Sequence, residues 1–285
     1  MANRDIIVIG ASAGGVEAVS QLVAELPADL PAAVFVTLHF PRNSTSMLPR
    51  ILTRAGPLEA VHPTDQEPIR AGRIYVAPPD YHLIVGRGHV HLVRGPTENG
   101  NRPAVDPMFR SAAVAFGPRV IGVVLSGNLD DGTAGLYSIR RRGGLGLAQD
   151  PEEAHFPSMP VSARRHGVVD EVLPVRELAS RLDALARERI IIRPEDTVDD
   201  HAARETDFAR FDLGAISDES GHPGEPSPYS CPDCGGVLWA IADDDLPRYR
   251  CRVGHAWTQD ALLMQQAETL DVALWTALRA LEENA

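Results

Sequence analysis

Three side chains in the first half of the sequence have the types that acyl-transfer chemistry needs. Ser12 lies in Gly10-Ala11-Ser12-Ala13-Gly14, a G-x-S-x-G sequence with Gly15 behind it. Small residues on both sides allow a tight turn that lifts a serine hydroxyl above a strand end. Free N–H groups of a following helix would then face a developing oxyanion. A serine nucleophile needs a base and a group that orients the base. His39, in Leu38-His39-Phe40-Pro41, and the pair Asp130 and Asp131, just before Gly132, each follow an apolar, strand-like run. The same turn has two other readings: a glycine-rich cradle for a dinucleotide phosphate, or a tight turn with no ligand. The dinucleotide order G-x-G-x-x-G is not met.

A second constellation lies late in the chain. Cys231-Pro-Asp-Cys234 and Cys251-Arg-Val-Gly-His255 give C-x2-C and C-x3-H. Thiolate and imidazole at this spacing suit tetrahedral Zn²⁺, and four protein ligands leave no open position, so the expected role is structural. The site uses all three cysteines of the chain. A unit of this size buries too little surface to be stable without help, which favours a metal over reduced thiols in a small core. The stretch reads as a zinc ribbon. Asp243, Asp244 and Asp245 between its knuckles argue for a protein contact, or a lid over a cleft, rather than nucleic acid.

The elements that must position these groups follow from periodicity. Apolar runs at Asp5–Gly10, Ala32–Leu38, Ile74–Val76, Val120–Leu125, Leu145–Ala148 and Val168–Val172 predict strands. Leu83–Val85 and His89–Val93 predict a hairpin. Helical spacing covers 16–26, 46–54, 107–116, 132–141 and 175–189. Alternating strands and helices predict an α/β fold, a doubly wound and mostly parallel sheet with helices on both faces. In such a sheet, sites gather beyond the carboxyl ends of the strands, where Ser12, His39 and the two aspartates fall.

The predicted domains are a catalytic unit at 1–194, an acidic flexible linker at 195–228, the zinc-ribbon-like unit at 229–258 and an amphipathic helix at 259–285. Leu263, Ala267, Leu270, Leu274, Ala277 and Leu281 form a narrow seam on that helix. It would pack on the ribbon or mediate self-association.

The 285 residues include 27 basic side chains, all Arg, against 39 acidic ones. The absence of Lys excludes P-loop and Schiff-base chemistry. The net charge of −12 argues against a nucleic-acid partner. Residues 1–195 hold 21 acidic residues and 21 Arg, so the whole deficit lies in the C-terminal third. No run is long and apolar enough for membrane insertion. The N-terminus offers no secretory leader, and a cytoplasmic location is expected.

Five ordered motifs carry a family resemblance. They are Ile9-Gly-Ala-Ser-Ala-Gly-Gly15, Leu38-His-Phe-Pro41, Ala77-Pro-Pro-Asp80, Pro103-Ala-Val-Asp-Pro-Met-Phe-Arg-Ser111 and Leu125-Ser-Gly-Asn-Leu-Asp-Asp-Gly-Thr-Ala-Gly135. Over about residues 4–185 the chain resembles the catalytic domain of the chemotaxis protein-glutamate methylesterases, the CheB family. The resemblance implies Ser12 as nucleophile, His39 as general base and Asp131, rather than Asp130, as the triad carboxylate. Ala13, Gly14, Gly127 and Asn128 are the implied turn and oxyanion residues. The implied activity is hydrolysis of glutamyl γ-methyl esters on a chemoreceptor or receptor-like signalling protein, with glutamine deamidation beside it. No cofactor is implied for catalysis.

Family members commonly carry a receiver domain, for which no room precedes Asp5, so regulation is expected from a separate receiver or sensor protein, from the C-terminal part, or not at all. The 127–130 loop departs from the Met-Gly-Asn form of the chemotaxis enzymes. That leaves a second reading, a signalling adaptor with weak catalysis. Arg110 reads as a carboxylate-binding residue or a cap of its own helix, Asp106 as an N-cap with Pro107 first in the helix, and Gln149, Met159 and Pro160 as loop residues.

Overall fold

The computed structural model describes residues 2–192, 200–210, 224–241 and 246–284, with backbone alone at 200 and 201. Asp243, Asp244 and Asp245 lie outside the described residues.

A seven-stranded, all-parallel sheet is the frame. It contains β2 (Ile6–Ala11), β3 (Ala33–Leu38), β4 (Glu59–Val61), β5 (Arg73–Val76), β8 (Val120–Val124), β9 (Leu145–Gln149) and β10 (Glu171–Leu173), in the order β10-β9-β8-β2-β3-β5-β4. Every residue of β2, β3 and β8 is buried, which is why these strands read as unbroken apolar runs rather than alternating ones. The chain moves outward from β2 through β3 and later returns to β8 on its other side. The switch point is therefore at β2, where open α/β sheets place their ligands.

The helices α1 (Gly15–Ala24), α2 (Leu48–Ala55) and α6 (Val175–Arg187) enclose one core on Ile7, Ile9, Val34 and Val36. On the other face α3 (Val105–Phe116), α4 (Thr133–Arg141) and α5 (Ser158–Arg165) enclose a second core on Val8, Phe35, Phe109 and Leu136. The predicted hairpin is present as β6 (His82–Val85) paired antiparallel with β7 (Val90–Val93). Two short strands, β1 (Ala2–Asn3) and β11 (Arg189–Ile190), tie the chain start to the end of this unit.

Some elements differ from the sequence expectation. The strand expected at Val168–Val172 begins only at Glu171, because the chain climbs to the sheet edge through a Gly167 turn at φ 64°. Met159 and Pro160 are buried in α5, not in a loop. Within 195–228, acidic composition suggested a linker throughout. Residues 200–209 instead form a helix, α7 (Asp200–Ala209), that buries Ala202, Glu205, Thr206 and Phe208.

The C-terminal unit is a four-stranded antiparallel sheet of β12 (Gly224–Ser230), β13 (Val237–Ile241), β14 (Arg248–Cys251) and β15 (Ala256–Thr258), followed by α8 (Gln259–Glu283). Leu238, Trp257, Ala261 and Leu262 form its small core with the buried sulfurs of Cys231 and Cys251. It lies against the parallel-sheet unit, with Ala256 N–H on the Thr97 carbonyl and Asn99 N–H on the Ala256 carbonyl.

Candidate active site

Strand register brings the three candidate side chains together. Ala11 of β2 pairs with Leu38 of β3, so the next residues, Ser12 and His39, leave the sheet abreast. Val124 of β8 pairs level with Gly10, so the loop after β8 arrives on the other side. The Ser12 N–H donates to the Ser126 carbonyl at 2.9 Å, stitching the two turns. His39 Nδ1 stands 3.1 Å from Ser12 Oγ, and His39 Nε2 stands 2.7 Å from Asp131 Oδ2. With Nε2–H donating to the carboxylate, Nδ1 is left as the acceptor for the serine proton. The imidazole is 14% exposed and the carboxylate 2%, so the base is reachable while its orienter is dry.

Asp131 is held by four donors. Oδ2 accepts from His39 and the Val105 N–H, and Oδ1 from the Asp106 N–H and Asn99 Nδ2. The two backbone donors are the first turn of α3, so the positive end of that helix faces the carboxylate. Burial pushes the Asp131 carboxyl up, but the bond and charge of His39 and the α3 N–H groups hold it below the usual carboxylate range. Asp106 returns the arrangement: its Oδ1 accepts from the Gly132 and Gly135 N–H groups at the start of α4. Asp106 caps α4, not its own helix α3. Burial, then the charges of Asp131 and Glu98, raise its carboxyl well above the usual value. Asp130 faces away from His39 and accepts the Thr258 hydroxyl at 2.8 Å.

The turn residues have distinct uses. Gly14 is the N-cap of α1 at φ 69°, a left-handed conformation that a side chain would strain. A Cβ at Gly127 would lie 2.9 Å from the Ser12 Cβ and closer still to Met159 Sδ, so only glycine lets the β8 loop approach the serine. Among the described residues the Ala13 and Gly14 N–H groups make no backbone hydrogen bond, whereas the Gly127 N–H is taken by the Phe156 carbonyl. Asn128 is exposed and lines a groove of about 600 Å³ with Leu129, Val161, Arg165 and Met264. Gln149 is buried and accepts the Ser126 N–H.

Of the two readings of Arg110, the structure bears out the carboxylate partner and not the cap. Arg110 is buried in an ionic cluster, with its Nη2 2.7 Å from Glu98 Oε1. Arg250 of β14 reaches the same Glu98 and also Glu205 of α7, and Arg248 pairs with Glu205. Asn99, Glu98, Glu205 and Thr258 escaped the sequence reading. Only Asn99-Gly100 left a signal, the turn dipeptide of a hairpin, with φ of 51° and 71°.

The second constellation also converges. The donor atoms of Cys231, Cys234, Cys251 and His255 all lie within 4.8 Å of one another. Cys234 and Cys251 sulfurs are 3.7 Å apart, and His255 Nδ1 is 3.7 Å from Cys231 Sγ and 3.5 Å from Cys251 Sγ. A tetrahedral Zn²⁺ with its usual bond lengths spaces sulfurs about 3.8 Å apart, and sulfur from nitrogen about 3.6 Å. These three separations match that spacing, so the donor set suits such an ion.

The family model for CheB methylesterase matches residues 7–182. A protein-glutamate methylesterase/protein-glutamine glutaminase of Methanosarcina mazei is 35% identical over 192 residues, 65% of this chain and 52% of that protein. Its counterpart in Symbiobacterium thermophilum is 37% identical over 185 residues, 65% of this chain and 50% of that protein. The chain thus spans about half the length of these curated relatives. The crystal structure of the Thermotoga maritima CheB methylesterase catalytic domain superposes with a TM-score of 0.62 at 32% identity, covering 65% of this chain and all of that one. With a family model matching most of the parallel-sheet unit, the chain belongs to the CheB methylesterase family.

Proposed function

We propose that the chain is a serine hydrolase that removes methyl esters from glutamyl side chains of a receptor-like signalling protein, with glutamine deamidation as a companion reaction. The observation that carries this reading is the hydrogen-bonded series Ser12–His39–Asp131 at the carboxyl edge of the sheet. His39 Nδ1 takes the Ser12 proton as Oγ attacks the ester carbonyl carbon. Asp131 holds the imidazole in the needed tautomer and stabilises its cation. The Ala13 and Gly14 N–H groups, free of backbone partners among the described residues, suit the oxyanion. The Nδ1 proton passes to the methoxy oxygen and methanol leaves. Water, deprotonated by Nδ1, then cleaves the acyl-enzyme, and Ser12 regains its proton. With a glutamine side chain, ammonia leaves in place of methanol.

Zn²⁺ held by Cys231, Cys234, Cys251 and His255 would supply a closed tetrahedral cross-link and no catalytic step. Thiolate ligands fit a reducing compartment such as the cytoplasm. Among the described residues no helix is long and apolar enough to cross a membrane. The adaptor reading loses ground because the three groups stand in reach of one another, with the carboxylate kept ionised.

The test uses the full chain, a fluorophosphonate probe and methyl-esterified glutamyl peptides. Labelling at Ser12, methanol release, and loss of both in Ser12→Ala with an unchanged fold are expected. Turnover retained in Ser12→Ala would overturn the assignment.

A further inference from the structure

The C-terminal unit reaches the triad through one short segment. Thr97, Glu98 and Asn99 are all buried between α3 and the ribbon. Both knuckles grip them. Asp233, between Cys231 and Cys234, accepts the Thr97 hydroxyl at 2.6 Å. Ala256, directly after His255, donates its N–H to the Thr97 carbonyl and accepts the Asn99 N–H at 2.8 Å. The Thr258 N–H then donates to Asn99 Oδ1 at 2.8 Å. With its carbonyl oxygen fixed in this way, the Asn99 amide can turn only its Nδ2 inward. Nδ2 stands 3.3 Å from Asp131 Oδ1 and 3.4 Å from Asp106 Oδ2. The same β15 residue, Thr258, donates its hydroxyl to Asp130, the neighbour of the triad carboxylate.

We propose that the four-ligand metal unit is a positioning device for the catalytic carboxylate: metal bound by Cys231, Cys234, Cys251 and His255 fixes β15, β15 fixes Asn99, and Asn99 fixes Asp131. The inference rests on the esterase reading and adds a means of control to it. A ribbon of this size depends on its ion for folding. Loss of the ion frees the Ala256 and Thr258 partners of Asn99, and Asp131 loses one of its four donors. The parallel-sheet core and the Ser12 turn contain none of the metal ligands, so they are expected to stay folded. Asn99 touches neither substrate nor the reacting atoms, so it is a positioning residue.

The experiment compares zinc-loaded full chain, the same chain stripped by a chelator, and the stripped chain given Zn²⁺ again. Three quantities are read: the rate of fluorophosphonate labelling at Ser12, hydrogen exchange at the Asn99 and Thr258 amides, and the low-field proton resonance of the His39–Asp131 bond. Stripping is expected to expose both amides, broaden the low-field resonance and slow labelling roughly tenfold, the scale of one lost hydrogen bond to a charged group. Restored Zn²⁺ reverses all three. Asn99→Gly is the matching variant, because glycine keeps the turn at φ 51° where alanine would be strained. Zinc-loaded Asn99→Gly is expected to keep its metal, label as slowly as the stripped wild type, and lose nothing further on stripping.

Labelling indifferent to metal, or two losses that simply multiply, overturns the coupling. If chelation unfolds the whole chain, the zinc-loaded variant decides, and unchanged labelling there overturns it. A zinc-loaded wild type that does not label at Ser12 instead overturns the esterase reading, and the coupling with it.

Discussion

Asp130 and Asp131 are adjacent in sequence and opposite in proton affinity. Asp131 faces His39 and the α3 N–H groups and stays ionised. Asp130 is raised to about 7, chiefly by burial, with Asp260 and Asp131 adding repulsion against the Thr258 hydroxyl bond. Its folded value therefore exceeds its unfolded value near 3.8. Between those two values the folded chain binds more protons than the unfolded chain, so the Asp130 contribution to stability falls as pH rises from about 4 to 7. Over that window the loss is on the order of 4 kcal/mol. Asp130→Asn keeps an oxygen for the Thr258 hydroxyl and removes the ionisation. Urea midpoints of the variant and wild type should coincide near pH 4 and separate at pH 8, with the variant more stable. A gap independent of pH would show that Asp130 is not the titrating group.

At the scale of elements, α3, α4 and the ribbon are fixed by groups they exchange. Asp131 precedes α4 and caps α3, while Asp106 lies in α3 and caps α4. Glu98 joins Arg110 of α3 to Arg250 of β14 in a dry cluster. Burial opposes the Glu98 charge, yet the two guanidinium groups hold its carboxyl below the usual value. Glu98→Ala leaves both guanidinium groups short of a counter-charge, and removing one partner of a buried pair costs about 3–5 kcal/mol. Equilibrium unfolding of Glu98→Ala should show a loss of that size, and a loss under about 1 kcal/mol, the scale of an exposed pair, would falsify the role given to the cluster.

The same elements explain how much was legible in the sequence. The meeting of Ser12 and His39 is legible because each directly follows an apolar strand, and the parallel order of those strands puts their ends together; Asp131 stands in the loop after β8, and its choice over Asp130 comes from the family resemblance. Cys231, Cys234, Cys251 and His255 could be found because ligand spacing is local. Asn99, Glu98 and Glu205 could not. Their roles depend on which distant segments pack on them, and no periodicity encodes that. The caps mislead for the same reason: spacing matches a helix N-terminus to its nearest aspartate, and the fold supplies one from the neighbouring loop. The helix at 200–209 is hidden by its charge, because Glu205, which composition reads as solvated, is buried on Arg248 and Arg250.

Over the whole molecule, charge and apolar exposure meet on the C-terminal part. Residues 196–285 carry 18 acidic side chains and 6 Arg. Arg248 and Arg250 are turned inward to Glu98 and Glu205, so they do little for the outer field. On α8 only Ala261 and Leu262 are buried, while Leu270, Leu274, Trp275 and Leu281 are 60%, 59%, 65% and 71% exposed. Of the two readings of this seam, packing on the ribbon does not hold beyond the first turn, where its side chains face water. Apolar surface of this kind favours association, and the charge of −12 opposes it. Salt screens the repulsion and leaves the apolar attraction, so light scattering from the full chain should rise with salt concentration. Replacing Leu270, Leu274 and Leu281 together by Gln should abolish that rise. In dilute protein it should change unfolding free energy by only about 0.5 kcal/mol per site, because these side chains are already solvated. Scattering unaffected by salt would mean that repulsion is not what keeps the chains apart. A large loss of stability in the dilute variant would mean that the seam is covered within a single chain.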